Sequence, residues 1–259
     1  MNKKSTIERI KNIQKHLELE PDGIIGADTL TAIENHLFER ADLEDVSSLT
    51  ISRQGLEQLI KHEIISKSYY NRSLKQPIWP GGASGITIGI GYDLGYNSVA
   101  QINSDWQGKV SDSDLEKLIK VSGLKSEHAK RSLIRVKKIE VAFEDARQVF
   151  SENTLPRFAA STRKAYPGVE LLFADAQVAL LSLVYNRGAS MSGARRKEMS
   201  AIKPLVVQKD YAGIAQQIKN MKRLWEGRGL AGLLKRRDDE AALVLACDRT
   251  YDDSNLIRV

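Results

Sequence analysis

Residues 169–186, VELLFADAQVALLSLVYN, constrain this chain most. In their second half apolar side chains occur on nearly every side of a helical wheel, so the segment reads as a buried central helix that other helices must surround. Its apolar run is too short and too interrupted to cross a bilayer. Around it, i, i+3, i+4 spacing predicts helices over 54–66, 112–121, 126–136, 140–152, 155–166, 195–207, 211–225 and 230–245. Residues 77–85, PIWPGGASG, read as a loop rich in turn formers. Only one stretch carries a convincing strand pattern, so the expected fold is mainly α with one small β-hairpin or sheet.

That stretch is residues 84–96, SGITIGIGYDLGY. Ile86, Ile88, Ile90 and Tyr92 alternate with Thr87, Gly89, Gly91 and Asp93, placing a hydroxyl, a carboxylate and two glycines on one face. Glycines inside a strand mark a bend or a close approach. The same letters fit a Gly-rich hairpin in which Asp93 is a turn residue. In a straight strand Thr87 and Asp93 would stand about 20 Å apart, at roughly 3.3 Å per residue. If both serve one reaction, the chain must therefore turn back at Gly89 to Gly91.

The nearest acid upstream is Glu63, since residues 64–86 contain neither Asp nor Glu. Glu63 is predicted near the C-terminal end of its helix, beside Ile64 and Ile65. Both the helix end and an apolar surround would raise a carboxyl pKa, as a general acid working near neutrality requires. If two carboxylates cooperate in this region, they are Glu63 and Asp93.

The N-terminal residues read as a separate unit. Ser5 to Glu8 fit a capping box, Ile7, Ile10, Ile13 and Leu17 follow at helical spacing, and Pro21-Asp22-Gly23 is a turn. A second helix carries Leu30, Ile33 and Leu37 on its inner face. The expected division is 1–38 for this small three-helix-type domain, 39–50 for an acidic linker, and 51–259 for the helical domain. With 39 Lys and Arg against 33 Asp and Glu, the net charge of +6 favours an anionic partner. No aromatic-basic interleaving suggests a nucleic-acid surface, and the expectation is no nucleic acid. One cysteine (Cys247) and four scattered histidines (His16, His36, His62, His128) predict no disulfide, no metal and no cofactor. The basic N-terminus is not followed by an apolar run, so neither a signal peptide nor membrane insertion is expected.

Two resemblances add to this reading. Residues 13–37, IQKHLELEPDGIIGADTLTAIENHL, resemble the peptidoglycan-binding domain of cell-wall hydrolases, with Gln14, Asp22, Gly23, Gly26, Thr29 and Ile33 at its pattern positions. The bland alternative is a generic helical docking domain. Glu63, then ITIGIGYDLG, then ALLSLVYNRG from Ala179, then Trp225 and GLLKRRDDEAAL from Gly232 resemble in that order the phage-lysozyme family. Most of that family carry the catalytic Asp between the Glu and the Thr, where this chain has no acid. It is more similar to the pesticin-like branch, with Asp six positions after Thr.

The resemblance implies a lysozyme-like α+β fold and a glycoside hydrolase acting on bacterial peptidoglycan, with Glu63, Thr87 and Asp93 catalytic. It further implies a modular phage endolysin, monomeric and not inserted in a membrane, held in the host cytoplasm until a holin releases it. Asn186, Arg187, Arg236, Arg237 and Glu240 read as helix-end and charge-network residues. A lytic transglycosylase and a non-catalytic wall-binding or virion protein are the alternatives.

Overall fold

A computed structural model of the chain describes residues 3–33, 48–246 and 250–259. The chain divides into two compact units, Met1–Ser47 and Ser48–Val259. Among the described residues it is mainly helical, with two separate two-stranded sheets where one was expected.

In the first unit, α1 (Lys3–His16) already runs through Ser5, which therefore cannot be its N-cap. Residues 27–33 are helical (α2), and a third helix, Leu37, His36 and most of the expected linker lie outside the described residues. The unit is tied together by polar groups. The Gln14 amide nitrogen donates to Asp22 (2.7 Å), to the Ile24 carbonyl (2.9 Å) and to Thr29 (3.1 Å), while its oxygen accepts from the Gly23 N–H (2.8 Å). Gln14 and Thr29 are buried, whereas Ile7, Ile13 and Leu30, expected on inner faces, are about half exposed. Helical spacing alone cannot tell a covered apolar stripe from an uncovered one.

The second unit begins earlier than the expected boundary. Leu49 is fully buried, and β1 (Thr50–Ser52) pairs antiparallel with the C-terminal strand Leu256–Arg258 in the register Thr50↔Arg258, Ile51↔Ile257. Residues 48–50 are thus part of the fold and not of a linker. The sequence did not show this sheet because each strand has three residues, too few for an alternating pattern. Ser52 caps α3 (Arg53–Ile64) by accepting from the Gly55 N–H (3.0 Å) and donates to Asp175.

The intervening helices are α4 (Lys67–Ser73), where no element was expected, then after the hairpin α5 (Val99–Trp106), α6 (Asp112–Ile119) and α7 (Ser126–Ser132). Next come α8 (Phe143–Val149) and α9 (Leu155–Ala165), joined through a π-helical turn at Phe150–Thr154. Pro156, which lacks an N–H and crowds the carbonyl four residues back, accounts for that widened turn.

The central helix is α10 (Ala174–Arg187), with every residue from Asp175 to Val184 buried. It starts five residues later than expected, because Val169–Leu171 form a 3₁₀ turn with Leu171 largely exposed. Around it pack α3, α9 and the last helix, α13 (Ala231–Leu245), with α12 (Tyr211–Asn220) against α13 and α11 (Lys197–Val207) against α12. Gly55 permits the closest of these approaches, since a Cβ there would lie 2.1 Å from Val178 Cγ1. This wrapping is what brings α3, α10 and α13 onto one cleft.

Candidate active site

The stretch at 84–96 folds as a hairpin. Thr87–Ile88 (β2) pairs with Tyr92–Asp93 (β3) in the register Thr87↔Asp93, Ile88↔Tyr92. Gly89 (φ +57°) and Gly91 (φ +68°) supply the left-handed backbone at its tip, so the chain turns back where the glycines allow it. Ile86, Ile88, Ile90 and Tyr92 are all buried, as their alternation predicts. The Leu94 N–H donates to the Ile86 carbonyl (2.8 Å), which makes Thr87 and Asp93 a non-hydrogen-bonded pair. Their side chains therefore stand side by side on one face, with Cα atoms about 4.5 Å apart.

Asp93 is half-buried, and both its oxygens are engaged. Oδ2 accepts from the Gly85 N–H (3.0 Å) and Oδ1 from the Gly95 N–H (2.8 Å). Burial pushes its carboxyl above the ordinary value of 3.8, against the opposing pull of those two bonds and of Lys125. Thr87 exchanges backbone bonds with Ile78 (2.8 and 3.0 Å). Its hydroxyl has no hydrogen-bond partner among the described residues and lines the cleft.

Glu63 sits in the last turn of α3, as expected, but its surround is not apolar. Ile65 is 61% exposed, and the buried Arg236 of α13 donates to Glu63 Oε1 (2.6 Å). The Arg236 guanidinium is itself held by Glu240 (3.2 Å), the Ser182 carbonyl (3.1 Å) and the Ser182 hydroxyl (3.0 Å). Arg237 (2.8 Å) and Ser182 (2.7 Å) also donate to Glu240. Burial works against the Arg236 charge, yet Glu63 and Glu240 more than offset it, so its pKa is raised further. Arg236, Arg237 and Glu240 do form a charge network, as read from the sequence. The sequence did not show that the network grips Glu63.

The other oxygen of Glu63 faces the hairpin tip. A Cβ on Gly91 would lie 3.6 Å from Glu63 Oε2 and 2.4 Å from the Tyr185 hydroxyl. Tyr185, from α10, donates that hydroxyl to the Ile90 carbonyl (3.1 Å), and burial, with Glu63 next in weight, keeps the phenol protonated. Sequence reasoning missed both Tyr185 and the contact of Arg236; the signal available was their place inside the ALLSLVYNRG and GLLKRRDDEAAL motifs.

Glu63, Thr87 and Asp93 line one cleft of about 1000 Å³, bordered also by Tyr185, Arg187 and Arg196. A lengthy ligand with an acid-sensitive bond could meet a carboxyl group from α3 on one part of this wall and a carboxylate-hydroxyl pair from the hairpin on another. Among the described residues no three His, Cys, Asp or Glu side chains converge as metal ligands would, and no helix is long and apolar enough to cross a membrane.

Residues 48–164 match the model of a domain of unknown function (DUF8812), a span that holds Glu63, Thr87 and Asp93 but stops short of α10 and α13. No curated protein matches the chain.

Proposed function

We propose that the second unit is a muramidase that hydrolyses the β-1,4 bond between N-acetylmuramic acid and N-acetylglucosamine in bacterial peptidoglycan. The observation that carries this reading is the meeting of Glu63, Thr87 and Asp93 on one cleft wall, although Glu63 lies 30 positions from Asp93 in the chain. Glycoside hydrolysis needs an acid for the leaving oxygen and a second group to activate water or stabilise the oxocarbenium-like state. In the proposed reaction Arg236 fixes Oε1 of Glu63, and Oε2 delivers a proton to the glycosidic oxygen as the C–O bond breaks. A water set by the Thr87 hydroxyl attacks the anomeric carbon, and Asp93 takes up its proton.

The motif resemblances extend the reading to a modular phage endolysin. The first unit would hold the wall, and release from the host cytoplasm would await a holin. The Gln14 network is consistent with this, because it gives the residues of the binding-domain pattern a joint structural task.

One observation favours a second reading. Both Asp93 oxygens already bind backbone N–H groups, which suits an aspartate that mainly braces the hairpin. Glu63 would then act alone, as in a lytic transglycosylase, where no water is needed. The first test is turbidity loss on outer-membrane-stripped cells. Glu63→Gln is expected to abolish it while keeping the circular dichroism of the wild type, with a melting temperature lowered by the loss of an ionic partner of the buried Arg236; an active variant would refute the assignment.

A further inference from the structure

The cleft opens at one end into a second cavity of about 590 Å³, which shares Asn186, Arg187 and Arg196 with it and adds Arg195, Trp225 and Leu233. Three guanidinium groups border this cavity, and among the described residues none of the three forms an ion pair. The carboxylates nearby are engaged: Glu198 is held by Arg223 (2.5 and 3.1 Å), and Glu240 by Arg236 and Arg237.

Arg187 is the fixed member of the set. Its guanidinium stacks over the Trp225 ring at 4.9 Å, and Arg237 approaches the same ring at 5.7 Å. One nitrogen, Nη2, donates to the Arg195 carbonyl (2.6 Å), whereas Nε is buried with no partner. Arg196 gives Nη1 to the thioether of Met199 (3.2 Å), a weak acceptor. Burial, then the charges of Arg196, Arg237 and Arg195, push the Arg187 guanidinium down to about 10, with only Glu198 pulling the other way. An unpaired cluster of like charges with an unmet buried N–H is a costly arrangement in an empty protein, and a bound anion would remove both costs.

We propose that Arg187, Arg195 and Arg196, with Trp225 as a stacking platform, form an oxyanion-binding pocket that takes a carboxylate or a phosphate carried by the ligand of the adjoining cleft. Planar guanidinium forks suit either group, because two parallel N–H donors match two oxygens. The pocket stands on its own charges and cavity, and anion binding there does not depend on Glu63 chemistry.

The test titrates the full chain with sodium phosphate and, separately, with sodium acetate at constant ionic strength set by sodium chloride. Binding is read from tryptophan fluorescence and from the rise in melting temperature that ligation produces. Saturable binding is expected, weakened at least about tenfold in Arg195→Ala/Arg196→Ala, since two charge-assisted contacts are lost. Arg135→Ala, which removes an exposed charge on another element, is expected to bind like the wild type. Tighter phosphate binding identifies a phosphate-bearing ligand, and tighter acetate binding a carboxylate-bearing one. Should the double variant fail to fold, Arg195→Gln alters an exposed side chain alone and must still weaken binding by about threefold or more, one charge-assisted contact being lost. The proposal is overturned if neither anion saturates above the chloride background, or if the arginine variants bind as the wild type does.

Discussion

Gly91 carries the narrowest steric tolerance at the site. It stands at φ +68°, with the Tyr185 hydroxyl and Glu63 Oε2 crowding the space a side chain would need. Gly91→Ala is expected to cost about 2–3 kcal/mol, from left-handed strain and the lost Tyr185 bond to the Ile90 carbonyl, and to depress turbidity loss with it. Thermal denaturation checks the stability change, and Tyr185→Phe in the same chain should return part of the loss by clearing the hydroxyl. Asp93 supplies a pH signature. Its carboxyl titrates above the ordinary 3.8 because burial disfavours the charge. The stability it contributes is therefore full below the ordinary aspartate range and is lost as pH rises through the raised value. Carbon-13 NMR of the Asp93 carboxyl should show a midpoint above 3.8, and the acid limb of the lysis profile should follow that midpoint if ionised Asp93 accepts the proton. A midpoint below 3.8 would contradict the burial argument.

At the scale of elements, α3 presents Glu63 and then ends abruptly. Ile65 has φ +62° and ψ −58°, and the Ser66 N–H closes back on the Ile64 carbonyl (2.6 Å). This is a γ-turn of the strained hand, occupied by a β-branched residue. Its exposed side chain contributes little packing, so Ile65→Gly is expected to raise stability by about 1 kcal/mol, strain relief exceeding the extra unfolded-state freedom of glycine. Urea denaturation checks this, and a loss of stability would mean that Ile65 packs better than its exposure indicates. Such a turn was not legible in the sequence, because nothing in Ile64-Ile65-Ser66 favours positive φ. Periodicity located most helices of the second unit, since each buries one side in the core. It missed α4 and the strand partner at Leu256–Arg258, where short segments offer too few residues for a period.

At the scale of the whole molecule, contacts between residues far apart in the chain decided what the sequence could show. The hairpin turn followed from the spacing of Thr87 and Asp93 once both were required at one place, and the structure turns at those glycines. The apolar setting expected for Glu63 was wrong for a physical reason: its partner Arg236 lies 173 positions away, and local sequence cannot reveal a contact at that range. The polar core of the first unit was hidden likewise, because the burial of Gln14 depends on bonds to Asp22 and Thr29, 8 and 15 positions away. The most direct measurement is mass spectrometry of fragments released from purified peptidoglycan by the wild type, Glu63→Gln and Asp93→Asn. Hydrolysis predicts reducing muramic acid ends from the wild type, none from Glu63→Gln, and a strong loss in Asp93→Asn. Anhydro-muramic ends, or release undiminished in Glu63→Gln, would contradict a water-using reaction centred on these two carboxyl groups.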